Sequence, residues 1–151
     1  MTPVAALPDD LQQALGDCDV IVFDGECVLC SGFFRFMLHQ DKSGRFRFAT
    51  AQSPLGTALY RALGLPTTDY ETNLVIVGGC IYTRLNAFAA AMWALGGVWR
   101  VPALCRFLPG PLKHPLYHLI ARNRYRIFGR YDACMIPDDH VKSRFLPTGW
   151  G

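Results

Sequence analysis

The sequence lacks a long apolar run. Its longest candidate, residues 87–98, has 12 residues, whereas a membrane-spanning helix needs about 18 or more. The N-terminus lacks the succession of basic, apolar and small residues that marks a secretory signal. Six cysteines in 151 residues are too few for a disulfide-dense scaffold. These absences argue against a membrane-spanning or disulfide-stapled protein and predict a reducing, cytoplasmic compartment.

Acidic residues are absent from the segment between Thr72 and Tyr131, which carries eight Lys and Arg residues in a chain of net charge +3. If residues 115–129 are helical, Arg122, Arg126 and Arg130 follow one another at i+4 and form a basic stripe. The stripe is a solvated helix face, a set of arginines paired with the acidic N-terminal half, or a binding site for an anionic partner. A membrane surface or an acidic protein is favoured over nucleic acid, because no recognition motif is present.

The most informative motif that is present is Cys27-x-x-Cys30. It follows the apolar run of residues 20–23 and precedes a helix-like run that begins at Ser31. Backbone N–H groups and the helix dipole at such a junction stabilise a thiolate. The spacing therefore predicts a redox-active dithiol, with Cys27 as the nucleophile and Cys30 as the resolving thiol.

Other interpretations of the motif stay open. The two cysteines can be zinc ligands or buried packing residues, but a structural zinc site needs four ligands. Cys134 and a histidine are candidates for the missing two. Asp24, three residues before Cys27, has two interpretations of equal weight. It either accepts the proton of Cys30 during resolution or binds backbone N–H groups in the turn at Gly25.

The order of predicted elements indicates the fold class. They are a helix at 8–15, a strand at 19–23, a helix at 27–40, a strand at 45–49, a helix at 53–63, a hairpin at 73–83 and a helix at 87–95 capped by Asn86. Helix 27–40 places Leu29, Phe33, Phe36, Met37 and Gln40 near one face. This is the order of a thioredoxin-like α/β fold, with the dithiol beyond the carboxyl end of the first of these strands.

The motif and its surroundings resemble a known family. Asp24, Cys27 and Cys30, followed by Phe36-Met37-Leu38 and Asp41, resemble the signature of the DCC-type predicted thiol-disulfide oxidoreductases. Towards the C-terminus, the run from residue 122 to 129, Cys134 and the run 144–146 resemble the family's second half. The resemblance covers residues 20–146 and implies a thioredoxin-like redox domain. Thioredoxins carry a cis-proline before the third strand, whereas residues 71–74 here contain no proline.

The sequence thus predicts an α/β fold, a thioredoxin-like sheet flanked by helices, in a single domain. Residues 1–18 form a leader with a short helix, 19–97 the redox core, and 98–151 a basic helical extension packed on that core. The predicted activity is thiol-disulfide exchange through Cys27 and Cys30, with Asp24 assisting and no cofactor. Its partners are a disulfide-containing protein or small molecule and a thiol reductant. A non-catalytic adaptor that binds an anionic partner or a membrane surface through the basic helices is the alternative, as is a zinc module.

Overall fold

The computed structural model of this protein describes residues 1–68, 70, 72–128 and 139–149. The strands in these residues are β1 Thr2–Pro3, β2 Asp19–Phe23, β3 Phe46–Thr50, β4 Leu74–Val77 and β5 Cys80–Thr83. The helices are α1 Asp9–Leu15, α2 Val28–Gln40, α3 Pro54–Ala62, α4 Arg84–Leu95, α5 Arg100–Ala103, α6 Gly110–Phe128 and α7 Asp139–Lys142. Short 3-10 turns occur at Val4–Ala6, Gly97–Trp99 and Leu104–Phe107.

The strands form one mixed sheet in the order β1-β5-β4-β2-β3. β2 and β3 run parallel, joined by the crossover helix α2, while β4 is antiparallel to both β2 and β5. Every residue of β2 is buried, because helices cover both faces of the sheet at its centre. The predicted α/β thioredoxin-like fold is confirmed.

Two apolar layers hold the helices on the sheet. On one side, α1 and α3 bury Leu11, Leu15 and Leu59. On the other, Phe34 and Met37 of α2 pack with residues of α4. The Phe34 ring stacks on Phe23 of β2, with the ring centroids 4.6 Å apart. The face predicted for α2 was therefore wrong in part, since it omitted Phe34.

The carboxylate of Asp41 connects three parts of the fold at the end of α2. It is 5% exposed. One oxygen accepts a hydrogen bond from the backbone N–H of Arg45 at 3.1 Å. The other accepts from the backbone N–H of Phe46 at 2.8 Å and from Nη2 of Arg144 at 2.6 Å. Asp41 thus joins the end of α2, the start of β3 and the C-terminal segment.

The C-terminal segment covers the edge of the sheet. The backbone N–H of Phe48 donates to the carbonyl of Arg144 at 2.9 Å, and the N–H of Leu146 donates back to the carbonyl of Phe48 at 3.1 Å. Further along β3, the N–H of Thr50 donates to the carbonyl of Gly149 at 2.8 Å. An edge strand otherwise presents unpaired backbone groups, so residues 144–149 complete the sheet beside β3.

Most predicted elements are present, with differences at helix starts. The predicted hairpin is confirmed, and its turn residues Gly78 and Gly79 have φ values of 57° and 75°, which suit glycine. The prediction that Asn86 caps α4 was wrong, because α4 begins at Arg84 and Thr83 occupies the N-cap position. The Asn86 side chain instead accepts a hydrogen bond from Nζ of Lys113.

The C-terminal helix is longer than predicted. α6 begins at Gly110 rather than at residue 115, and Pro115 lies inside it. None of the helices in the described ranges has the length and apolar character needed to cross a bilayer. The division of the chain into a leader, a redox core and an extension stays a prediction.

The close approach of α3 to β3 provides a test of this packing. A Cβ added at Gly56 would lie 2.1 Å from the carbonyl oxygen of Thr50. We therefore expect Gly56→Ala to push α3 off the sheet and to lower the free energy of unfolding by at least about 2 kcal/mol in urea titrations. The matched control is Gly32→Ala in α2, where a Cβ meets nothing within 4 Å. It should raise that free energy by about 0.5–1 kcal/mol. Equal effects of the two substitutions would contradict the close approach.

Candidate functional site: a dithiol at the start of α2

Cys27 is the N-cap residue of α2. Its backbone is extended, with φ −85° and ψ 121°, and helical geometry begins at Val28. The Cys27 Sγ accepts a hydrogen bond from the backbone N–H of Cys30 at 3.4 Å. Sulfur therefore takes the capping position that a serine or aspartate oxygen fills in most helices. The N–H donor and the positive end of the helix dipole both favour a negative charge on this atom.

The two cysteines differ in their access to solvent. Cys27 is completely buried, whereas Cys30, one turn further along α2, is half-buried. Both are in the thiol form. The i, i+3 spacing keeps the two side chains on the same side of the helix start. The arrangement thus combines a buried, stabilised sulfur with a second sulfur nearer the surface.

Asp24 is held in the loop between β2 and α2. It is buried, and its Oδ1 accepts hydrogen bonds from the backbone N–H of Glu26 at 2.9 Å and from Nε2 of Gln52 at 2.6 Å. The turn interaction proposed for Asp24 is therefore present. Its role as a proton acceptor stays a prediction.

Gln52 is a residue of this site that sequence reasoning missed. Besides donating to Asp24, its side-chain oxygen accepts a hydrogen bond from the backbone N–H of Gly25 at 3.1 Å. Gln52 follows β3, and β2 and β3 are parallel neighbours. Because carboxyl ends of parallel strands meet at one edge of a sheet, a polar residue just after the second strand is a signal that could have identified it.

An apolar cavity of about 530 Å³ lies beside Cys30. Its walls include Leu29 and Phe33 of α2, Phe88 of α4 and Ile120 of α6. A few polar side chains interrupt this lining, among them Asn73, Arg84 and Tyr117. Such a cavity can hold the apolar part of a ligand next to a sulfur atom.

Asn73 directly precedes β4, in the stretch without proline noted in the sequence. The Tyr117 hydroxyl of α6 donates a hydrogen bond to Oδ1 of Asn73 at 3.0 Å. The described residues contain no cis peptide bond. The side of the cavity next to this stretch is therefore built by an asparagine and a tyrosine from the C-terminal half.

The other predicted site residues are not among the residues that line the cavity, or they lie outside the described residues. Arg122 and Arg126 are exposed on α6. Arg130 and Cys134 lie outside the described residues, so the basic stripe is described only in part. Within the described ranges, no three His, Cys, Asp or Glu side chains are grouped as metal ligands would be.

The remaining described cysteines are Cys18, which is exposed, and Cys80 and Cys105, which are half-buried. Neither Cys80 nor Cys105 therefore belongs to the fully buried core. Burial raises the pKa of the Cys105 thiol, while the charge of Lys113 acts in the opposite direction. Cys105 is thus biased towards the neutral thiol, which is a poor nucleophile.

Comparison with known proteins identifies the family of this chain. The family model described as DCC1-like thiol-disulfide oxidoreductase matches residues 21–130. The uncharacterized protein YuxK of Bacillus subtilis is 38% identical over 128 residues, which cover 85% of this chain and 93% of that protein. A DCC family protein of Arabidopsis thaliana, named as chloroplastic, is 28% identical over 116 residues, which cover 76% of this chain and 67% of that protein. No solved structure matches the chain significantly. With the family match spanning most of the chain and including the dithiol, this protein belongs to the DCC1-like thiol-disulfide oxidoreductase family.

Proposed function

We propose that this protein is a thiol-disulfide oxidoreductase that acts through Cys27 and Cys30. The observation that carries the proposal is the position of Cys27 Sγ at the N-terminus of α2, where it accepts the backbone N–H of Cys30. The N–H donor and the helix dipole at that position stabilise the thiolate, which is the form that attacks a disulfide. Membership of the family supports the same chemistry.

The proposed exchange has two steps. The Cys27 thiolate attacks one sulfur of the substrate disulfide, so that a mixed disulfide forms and the first substrate thiolate leaves. Cys30 then loses its proton and attacks the Cys27 sulfur, which forms the Cys27–Cys30 disulfide and releases the second substrate thiolate. Two electrons pass from the protein dithiol to the substrate. A thiol reductant returns the protein to the dithiol form, and the same steps in reverse oxidise a substrate.

Asp24 is the proposed acceptor of the Cys30 proton. Its carboxylate is buried in the loop that leads to Cys27 and is oriented by Gln52. A buried, oriented carboxylate is a suitable general base, since it needs no reorganisation when the proton moves. Gln52 acts as a positioning residue, because it holds both the carboxylate and the backbone of Gly25.

The cavity is the proposed route of the substrate to the dithiol. Cys30 is part of its wall, whereas Cys27 has no exposed surface. A disulfide with apolar flanking groups can enter this cavity, because its lining is mostly aliphatic and aromatic. Attack by Cys27 then requires the loop of residues 24–27 to shift and expose the sulfur. The substrate class favoured by this lining is a disulfide with apolar neighbours.

A redox titration tests the proposed activity. We expect purified protein in glutathione buffers to form a reversible Cys27–Cys30 disulfide at a defined potential, detected by thiol alkylation and mass spectrometry. Cys18→Ser is the matched control, since Cys18 is an exposed cysteine outside the motif, and it should leave the titration unchanged. Cysteines 27 and 30 that stay unpaired over the whole range, or are masked by bound zinc, would sink the proposal.

The order of attack is tested by trapping the intermediate. With Cys30→Ser, the resolving thiol is lost, so we expect a disulfide substrate to accumulate as a mixed disulfide on Cys27. Cys27→Ser should accumulate little or none. Mass spectrometry after acid quenching identifies the modified residue. The assignment of roles is wrong if Cys27→Ser traps the substrate on Cys30, the more accessible sulfur, and Cys30→Ser traps none.

The role of Gln52 is tested by removing its amide. Gln52→Leu removes the amide N–H that donates to Asp24 and the amide oxygen that accepts from the backbone N–H of Gly25. We expect thiol-disulfide exchange to slow about tenfold, the equivalent of about 1.4 kcal/mol for the lost loop contacts. Gln13→Leu, an exposed position on α1, is the control. Stopped-flow exchange with glutathione disulfide, on samples shown by urea titration to be folded, measures the rates. Equal rates in the two variants would show that Gln52 does not position the site.

A further inference from the structure

Solvent-exposed large apolar side chains concentrate in one stretch of the chain. Among the described residues, all those that are strongly exposed, apart from Met1, lie between residues 93 and 120. Val98, Phe107 and Leu119 are 75%, 72% and 63% exposed. We name the exposed apolar side chains of residues 93–120 the apolar surface. Isolated exposed hydrophobic residues are ordinary, but a concentration of them marks an interaction site.

On helix α6, the buried and the exposed side chains lie on different sides of the helix. Lys113, Tyr117 and Ala121, spaced by four residues, form its inward side and are at least half-buried. Leu112, Leu116 and Leu119 lie on the other side and are 60%, 47% and 63% exposed. Leu116 and Leu119 therefore point towards solvent. The helix is therefore amphipathic with its apolar stripe outward, the reverse of a helix that packs on a core.

The segment that carries the apolar surface also carries cations and lacks acidic residues. Residues 72–131 contain no Asp or Glu. The Arg100 guanidinium lies 5.1 Å from the ring centroid of Trp93, and that of Arg106 lies 5.4 Å from the ring of Phe107. Arg122 and Arg126 are exposed on α6. Exposed aromatic, aliphatic and guanidinium groups thus occur together in one helical segment, and this is the composition of interfacial membrane-binding helices.

We propose that the apolar surface binds the face of an anionic phospholipid bilayer. Its aliphatic and aromatic side chains match the boundary between headgroups and acyl chains, and its arginines match anionic lipid headgroups. A second copy of the chain fits poorly, because pairing this surface with itself would bring two cationic segments together without an intervening acidic residue. The helices of the described ranges are too short or too polar to span a bilayer, so the protein lies on the membrane surface. The inference is independent of the redox activity proposed above.

Vesicle flotation with the full chain tests the inference. We expect the protein to float with vesicles of phosphatidylcholine containing about one third phosphatidylserine, and not with phosphatidylcholine alone. Salt should weaken the binding, because exposed charges are screened. Binding should also shift the fluorescence of the half-exposed Trp93 to shorter wavelength. Failure to bind the anionic vesicles, or equal binding to both kinds, would overturn the proposal.

Two double variants separate the contributions of apolar and of cationic side chains to vesicle binding. Phe107→Ser with Leu119→Ser should weaken partitioning at least about tenfold, and Arg122→Gln with Arg126→Gln about 30-fold. Arg61→Gln on α3, on the other face of the sheet, is the charge control and should bind like the unmodified protein. Cys27→Ser should also bind normally, which keeps this test separate from the redox proposal. All variants are compared after urea titration confirms equal stability.

Other occupants of the surface would give different results. If the apolar variants bind vesicles like the unmodified protein, the contact is purely electrostatic and an acidic protein is the better partner. If the unmodified protein forms a concentration-dependent dimer in vesicle-free buffer that Phe107→Ser and Leu119→Ser abolish, the surface is a subunit interface. Either result overturns the assignment to a bilayer.

Discussion

The ion pair between buried Asp41 and partly buried Arg144 is the interaction on which the arrangement of this fold depends. Four donors converge on the Asp41 carboxylate, namely the Ser43 hydroxyl, the backbone N–H groups of Arg45 and Phe46, and the Arg144 guanidinium. A buried carboxylate without such donors would be costly. The same guanidinium donates to the carbonyl of Phe46 at 3.0 Å. One ion pair therefore joins the end of α2 and the start of β3 to the C-terminal segment. The two paired residues are 103 positions apart in the chain.

Fixing α2 at its far end also matters for the dithiol at its start. α2 is anchored at Asp41 and along its length by the stacking of Phe34 on Phe23. Its N-terminus therefore meets the carboxyl ends of β2 and β3, where Asp24 and Gln52 lie. Gly56 allows α3 to approach Thr50 closely, which places the loop carrying Gln52 next to the loop carrying Asp24. The site is thus assembled by contacts that lie outside it.

The sequence predicted the elements well where local signals were strong. The dithiol at a strand-to-helix junction, the strand after helix 27–40, and the hairpin at residues 73–83 each depend on residues close together in the chain, and the structure has all three. Gln52 was missed because its partners Gly25 and Asp24 are 27 and 28 residues away. Asn86 was misassigned because Arg84 enters the helix with a φ of 57°, which a non-glycine residue seldom adopts. The exposure of Leu116 and Leu119 depends on which side of α6 packs inward, and amphipathic spacing alone does not decide this.

Helix α6 connects the two surfaces with proposed functions. Its inward residues Tyr117 and Ala121 line the cavity beside Cys30, while Leu116 and Leu119 face outward. A helix moves largely as a rigid unit, because its backbone hydrogen bonds couple successive turns. A bilayer that holds the outward stripe would therefore also hold the wall of the cavity. The Tyr117–Asn73 hydrogen bond extends this connection to the start of β4. In this arrangement, substrates with apolar groups would meet the dithiol at the membrane surface, where such compounds concentrate.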